Sequence, residues 1–306
     1  MSISVSEFNG IKSYNFSFGK SLPDFLEQAG KKSASLKKDQ DFRKRIELIQ
    51  DFSFNGSSQW LEASEDGQYI IASGVYKPSL KIFDVNQLSI KHSRGIDSEI
   101  IKFRMLSQDY KKVAMICKDR NVEFHAQYGR HHKLRTPKVG RDLLYNPFNC
   151  DLLIAASSDE IYRLNLEEGR FMKPLQYQDV GVNCLALNQF LDLTFAGGDD
   201  GKLGLFDNKT SKRSKFYKFK KLVSEFEVSA DEQITALYSK SQLQVMTGTS
   251  EGVVKLFDLR YSGAVRTQRH PYMLPIHTIT EHKASGKIIT SDEKSVRYSQ
   301  QISLNY

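Results

Sequence analysis

The 306-residue chain carries 44 Lys and Arg against 36 Asp and Glu, a formal charge of +8, with 40% hydrophobic residues. It has no apolar run of roughly eighteen residues, and its first residues, MSISVSEFNG, have neither a basic start nor a signal-peptide-like apolar stretch. This predicts a soluble intracellular protein with no membrane span. Cys117, Cys150 and Cys184 stand far apart with no C-x-x-C pair, which argues against zinc or disulfides and for buried thiols.

The N-terminal fifty residues do not share the pattern of the rest. GIKSYNF (10–16) reads as a β-strand displaced to the start of the chain, within an N-terminal segment 1–18. A basic helical arm is predicted over 19–52. Ser21 and Pro23 suit the cap and first turn of one helix, through Asp24 to Glu27. A second helix is predicted from about Asp39 to Gln50, with Phe42, Ile46 and Ile49 at helical spacing.

From residue 53 to 306 one phrase returns six times: a β-rich run, a polar turn, then a short strand ending in Asp or a polar stand-in. The closing strands are LKIFD (80–84), VEFHA (122–126), IYRLN (161–165), LGLFD (203–207), VKLFD (254–258) and VRYSQ (296–300). Their last residues fall 42, 39, 42, 51 and 42 positions apart. Ahead of each stands another strand: YIIASG, VAMICK, LLIAAS, LTFAGG, LQVMTG and KIITSD. A period near forty with strands on both sides of each turn marks WD-repeat blades, so the fold class is an all-β propeller of six recognisable blades. The connections GGDDG (197–201), GTSEG (248–252) and SEDG (64–67) are rich in residues that accept positive φ, as tight hairpins require. Asp199 and Asp200 lack the alternating oxygen ligands of a calcium loop and read as turn residues.

The positive charge is concentrated. KTSKRSKFYKFKK (209–221) holds seven Lys or Arg and no acid, and RHHKLRTPKVGR (130–141) holds five and no acid. These exceed the net charge of the whole chain, so the remainder is slightly acidic. Such clusters attract phosphates by releasing counterions. The candidates for RNA or partner contact are Lys212, Arg213, Lys215, Phe216, Tyr217, Lys218, Lys220 and Lys221, then Arg135, Lys138 and Arg141, then Arg43, Lys44 and Arg45 in the arm. Phe216, Tyr217 and Phe219 alternate with lysines, which suits stacking on unpaired bases. A solvated outer strand with its aromatics packed on the blade is the competing reading.

Enzyme motifs fail on inspection. FGKS (18–21) ends like a phosphate-binding loop, but Tyr14 stands where the leading glycine is needed. His131 and His132 are adjacent, with no Cys or carboxylate at metal-ligand spacing, and there is no G-x-S-x-G elbow. The sequence predicts no catalytic residue, metal, cofactor or small-molecule substrate.

Six segments carry a specific resemblance: GKSLPDFL (19–26), RKRIELIQDF (43–52), EDGQYIIASGVYKP (65–78), RTPKVGRDLLYN (135–146), CDLLIAASSDEIYRLNLEEGRF (150–171) and EGVVKLFDLR (251–260). From about Val5 onward the chain resembles the nucleolar protein 10 family, called essential nuclear protein 2 in yeast. The resemblance implies a nucleolar, non-enzymatic component of the small-subunit processome, supporting early small-subunit rRNA processing and contacting pre-ribosomal RNA and other assembly factors. Family members continue into a seventh blade and a charged extension. Against that pattern, the strand at 10–16 is expected to lack blade partners here and to leave an open sheet edge. A general WD-repeat scaffold or ubiquitin-ligase substrate adaptor is the alternative; the basic clusters and family-specific segments weigh against it.

Overall fold

In a computed structural model, the described residues are 4–8, 11–15, 40, 47–50, 54, 56–86, 89–177, 180–208, 228, 232–241, 243–261, 263–282 and 286–299. Three strands, β1 (Ser4–Phe8), β2 (Ile11–Asn15) and β3 (Glu47–Gln50), form one antiparallel sheet with β2 in the middle. The first blade runs β4 (Ser58–Ala63), β5 (Tyr69–Gly74), β6 (Ser79–Asp84), β7 (Ser89–Gly95), in that order across the sheet. The second contains β8 (Ile100–Met105), β9 (Val113–Cys117), β10 (Asn121–Ala126) and β11 (Gly129–Arg135). The third contains β12 (Gly140–Asn146), β13 (Asp151–Ala156), β14 (Glu160–Asn165) and β15 (Arg170–Gln176). The fourth has β16 (Val182–Asn188), β17 (Leu193–Gly198) and β18 (Leu203–Asp207). The fifth has β19 (Ile234–Ser239), β20 (Gln244–Thr249), β21 (Val253–Asp258) and β22 (Ala264–Arg269). The sixth has β23 (Thr278–His282), β24 (Lys287–Ser291) and β25 (Val296–Ser299).

Six blades in succession, each an antiparallel meander, are the architecture that the repeats predict. Four show all four strands, and the fourth and sixth show three among the described residues. The chain divides into two compact units, Met1–Ala114 with Phe124–His131, and Met115–Glu123 with His132–Tyr306.

The N-terminal expectations need two corrections. Glu47–Gln50 is a strand, not the end of a helix: Leu48 pairs with Tyr14 and Ile49 with Ser13. A short run such as ELIQ fits either period, and pairing along β2 decides it. The strand near 10–16 is therefore not unpaired; it is flanked by β1 and β3. Gln40 has helical conformation. The first predicted helix lies outside the described residues, as do Arg43, Lys44 and Arg45.

Within the second unit the blades pack through their first strands, β12 on β16, β16 on β19 and β19 on β23. Each junction holds its own apolar core. Leu144, Leu153 and Ile161 of the third blade meet Leu185, Ala196 and Phe206 of the fourth. Phe195 and Leu203 then meet Ile234 and Val245, and Met246 and Leu256 meet Ile279 and Ile288. A second strand covered on both faces cannot alternate, so every residue of β13 is buried, whereas β22 is mostly exposed.

The glycines of the turns divide into two jobs. Gly197, at the end of β17, is a packing residue: a methyl group there would sit 2.6 Å from Ile234 Cγ2 and 2.9 Å from Cys184 Sγ. Gly252 serves the turn, with φ of 73°, and a methyl group on it would lie 2.8 Å from the Leu274 carbonyl oxygen. Backbone cannot yield there as a side-chain end can. G252A is expected to cost about 2–3 kcal/mol, from the left-handed conformation and the clash together. Thermal or urea unfolding of the variant checks this.

Candidate interaction surfaces

The cluster 130–141 falls on β11, the loop after it and the first two residues of β12. Much of its charge is used inside the protein. Arg130 Nη1 lies 3.0 Å from Asp97 Oδ2, and Lys133 Nζ lies 2.9 Å from Glu123 Oε1, whose side chain is buried. Arg141 Nη1 donates to Asp199 Oδ2 at 2.7 Å and to Asn183 Oδ1 at 2.6 Å, joining the third blade to the fourth. That guanidinium is a clamp within the fold. The partners also account for the two aspartates in the GGDDG turn. Asp199 takes Arg141, and Asp200 Oδ1 accepts from the Tyr177 hydroxyl and the Lys202 N–H, both at 3.1 Å.

Arg135 and Lys138 remain exposed, with no ion pair among the described residues. Buried Thr136 fixes the loop between them. Its Oγ1 donates to the Arg120 and Lys138 carbonyls at 2.9 and 2.8 Å, and its N–H also donates to Arg120 O. This brings in Arg120, which the sequence reading missed; its Nη1 lies 3.4 Å from Pro137 O. Arg120 stands in the KDRN turn with φ of 67°, and its charge was hidden by Asp119 beside it. Thr136 and Pro137 thus bring Arg120 beside the segment that carries Arg135 and Lys138. The strongest cluster, Lys212 to Lys221, lies outside the described residues.

Other cations are held by rings. In the first unit Lys91 Nζ lies over Tyr69 and Tyr110, 4.7 and 4.8 Å from the ring centroids, and donates to the Tyr69 hydroxyl. Lys102 Nζ lies 4.4 Å from the Trp60 ring centroid, beside Glu62, whose carboxyl burial pushes up against the opposing pull of Arg104.

One buried network has the composition of a hydrolase triad. His270 Nδ1 is 2.9 Å from Asp292 Oδ2, and its Nε2 is 2.8 Å from Thr290 Oγ1. All three are buried, so the group fastens the loop after β22 to the sixth blade rather than meeting a substrate. Tyr177, directly after β15, does the same work for the fourth blade through Asp200 and the Lys202 carbonyl. Burial pushes the Asp292 carboxyl up, but hydrogen bonds from Ser295, His270 and Lys294 outweigh it and hold it well below the usual carboxylate range.

The repeated antiparallel meanders, with their serial cores and buried polar networks, define a WD-repeat β-propeller. The model of the nucleolar protein 10-like N-terminal domain matches residues 4–303. Nucleolar protein 10 of Xenopus laevis is 42% identical over 96% of this chain and 43% of its own length. Ribosome biogenesis protein ENP2 of Saccharomyces cerevisiae is 36% identical over 90% of this chain and 39% of its own length. The chain belongs to the nucleolar protein 10 family, and it spans less than half the length of these relatives. Among solved structures, the computationally designed Ika8 protein matches with a TM-score of 0.62 at 15% identity, over 81% of this chain and 72% of that one, a likeness of fold alone.

T290V removes the hydroxyl that meets His270 Nε2 and is expected to cost about 1–3 kcal/mol, as for a buried polar atom left unpaired. Asp292 has its carboxyl value depressed on folding, so its contribution is present above the unfolded value of about 3.9 and fades as pH falls toward the folded one. D292N should therefore melt below the native protein at pH 7, with a smaller gap at pH 3. Paired thermal melts read both.

Proposed function

We propose that this chain is a non-enzymatic nucleolar assembly factor for the small ribosomal subunit, a structural part of the small-subunit processome that supports early rRNA processing. The observation that carries the reading is the family match over almost the whole chain, to relatives named as nucleolar or ribosome-biogenesis proteins. Its partners in this role are pre-ribosomal RNA and other assembly factors. The cationic corner at Arg120, Arg135 and Lys138 gives phosphate contacts, and the lysines and aromatics of 209–221 give phosphate and stacking contacts.

The tagged chain is expected to concentrate in nucleoli and sediment with large pre-ribosomal particles, and its depletion to raise early small-subunit rRNA precursors. A diffuse cytoplasmic signal with unchanged precursors overturns the reading.

RNA contact is tested separately with K215S/K218S/K220S/K221S and R135S/K138S. Removing one phosphate-binding Lys or Arg should flatten the log–log salt dependence of affinity by about 0.7 for a single strand. The quadruple variant is then expected to shed about 3 from a slope approaching about −5, and the double variant about 1.4. Filter binding of single-stranded RNA at several salt concentrations measures this. Equal slopes for native and substituted proteins make these segments solvated edges.

A further inference from the structure

The third and fourth blades carry matching turns between their first and second strands. Asn146-Pro147-Phe148-Asn149-Cys150 joins β12 to β13, and Asn188-Gln189-Phe190-Leu191-Asp192 joins β16 to β17. Each turn starts at a buried Asn whose Oδ1 accepts the N–H of the Phe two residues on, at 3.0 Å in both. Each ends on a residue of positive φ, 52° at Cys150 and 50° at Asp192. The same side chain emerges at the same place: Phe148 is 63% exposed and Phe190 70%, with Leu191 beside it at 40%.

The two turns are tied together. Asn146 Nδ2 donates to Asp192 Oδ1 at 3.0 Å, and Asn208 Nδ2 donates to the same oxygen at 2.8 Å. Asn188 Nδ2 in turn reaches the Ser241 carbonyl at 3.2 Å. The phenylalanines are therefore presented from a rigid base.

The turn itself does not call for them. The first blade makes the same connection with Ser64, Asp66 and Gly67, the Ser64 hydroxyl donating to Asp66. The second uses Ser107 and Asp109 in the same way, and its aromatic, Tyr110, is folded inward at 5% exposure. Two equivalent phenylalanines held out to water on adjacent blades therefore answer to something other than turn geometry.

The described charges beside them are acidic. The turn after β14 ends its strands at the same side and brings Glu167 and Glu168; its only cation, Arg170, bonds Glu168 through Nε at 2.6 Å. A phosphate backbone would meet carboxylates here. We propose that Phe148 and Phe190 are the paired anchors of a protein docking site, for a partner that offers two apolar pockets with Lys or Arg beside them. The site is distinct from the cationic corner and does not depend on it.

The test places p-benzoylphenylalanine at position 148 or 190 of the full chain in cells, with crosslinked products treated with RNase or left untreated. The expected result is one RNase-resistant protein adduct shared by both positions, its crosslinked peptide apolar and flanked by Lys or Arg. With that partner purified, F148S/F190S should weaken binding at least about tenfold, as loss of buried aromatic anchors does, while the melting temperature stays unchanged. R135S/K138S should leave this affinity as it was. RNase-sensitive adducts, adducts only to a second copy of this chain, different proteins at the two positions, or equal affinity of F148S/F190S each overturn the proposal.

Discussion

Packing of one blade's face on the next is the constraint from which the rest of the second unit follows. A strand covered on both sides is mostly apolar, which is why β13 continues from Asp151 as Leu-Leu-Ile-Ala-Ala and β20 from Gln244 as Val-Met-Thr-Gly-Thr, every one of those following residues buried. The close approach also demands small residues at set points. Gly197 lies where Ile234 of the next blade enters, and Gly248 lies where Ile276 enters. Polar atoms at these junctions have to be paired. Asp142 shows how: its Oδ1 takes the Leu143 N–H at 2.6 Å and its Oδ2 takes Leu185 N–H of the following blade at 2.9 Å.

The six blades were legible because three of the third strands, LKIFD, LGLFD and VKLFD, end on Asp after an apolar pair, because the other three recur at the same period, and because the preceding strand is mostly apolar. The first sheet was legible only in part. Phe8 pairs with Ile11, which leaves Asn9-Gly10 as a two-residue connection, a strong hairpin signal that the reading of 10–16 as a lone strand passed over. ELIQ carried no such signal, and two adjacent apolar residues in a four-residue segment do not choose between periods of two and 3.6. GGDDG was read as one turn, yet its first glycine, Gly197, answers to packing and its last, Gly201, to a φ of 68°.

The candidate contacts show the limits of reading charge along a chain. Arg141 looks like its neighbours in RTPKVGR, but its partner, Asp199, is fifty-eight residues away. Arg120 looks neutralised by Asp119, yet Asp119 accepts from Asn121 and lies near Lys133, and Arg120 turns toward Pro137. Phe148 and Phe190 attract no attention among nineteen phenylalanines until register shows that they occupy one position in two blades.

The ends of the stretch 209–227 are both secured. Asn208 is buried, with its Nδ2 on Asp192 and its Oδ1 accepting from Thr194. Val228 is buried as well, its N–H on the Gly201 carbonyl and its own carbonyl taken by Lys255. Asn208 and Val228 are thus two fixed points of the fourth blade's frame, anchored through Asp192, Thr194, Gly201 and Lys255 rather than through each other.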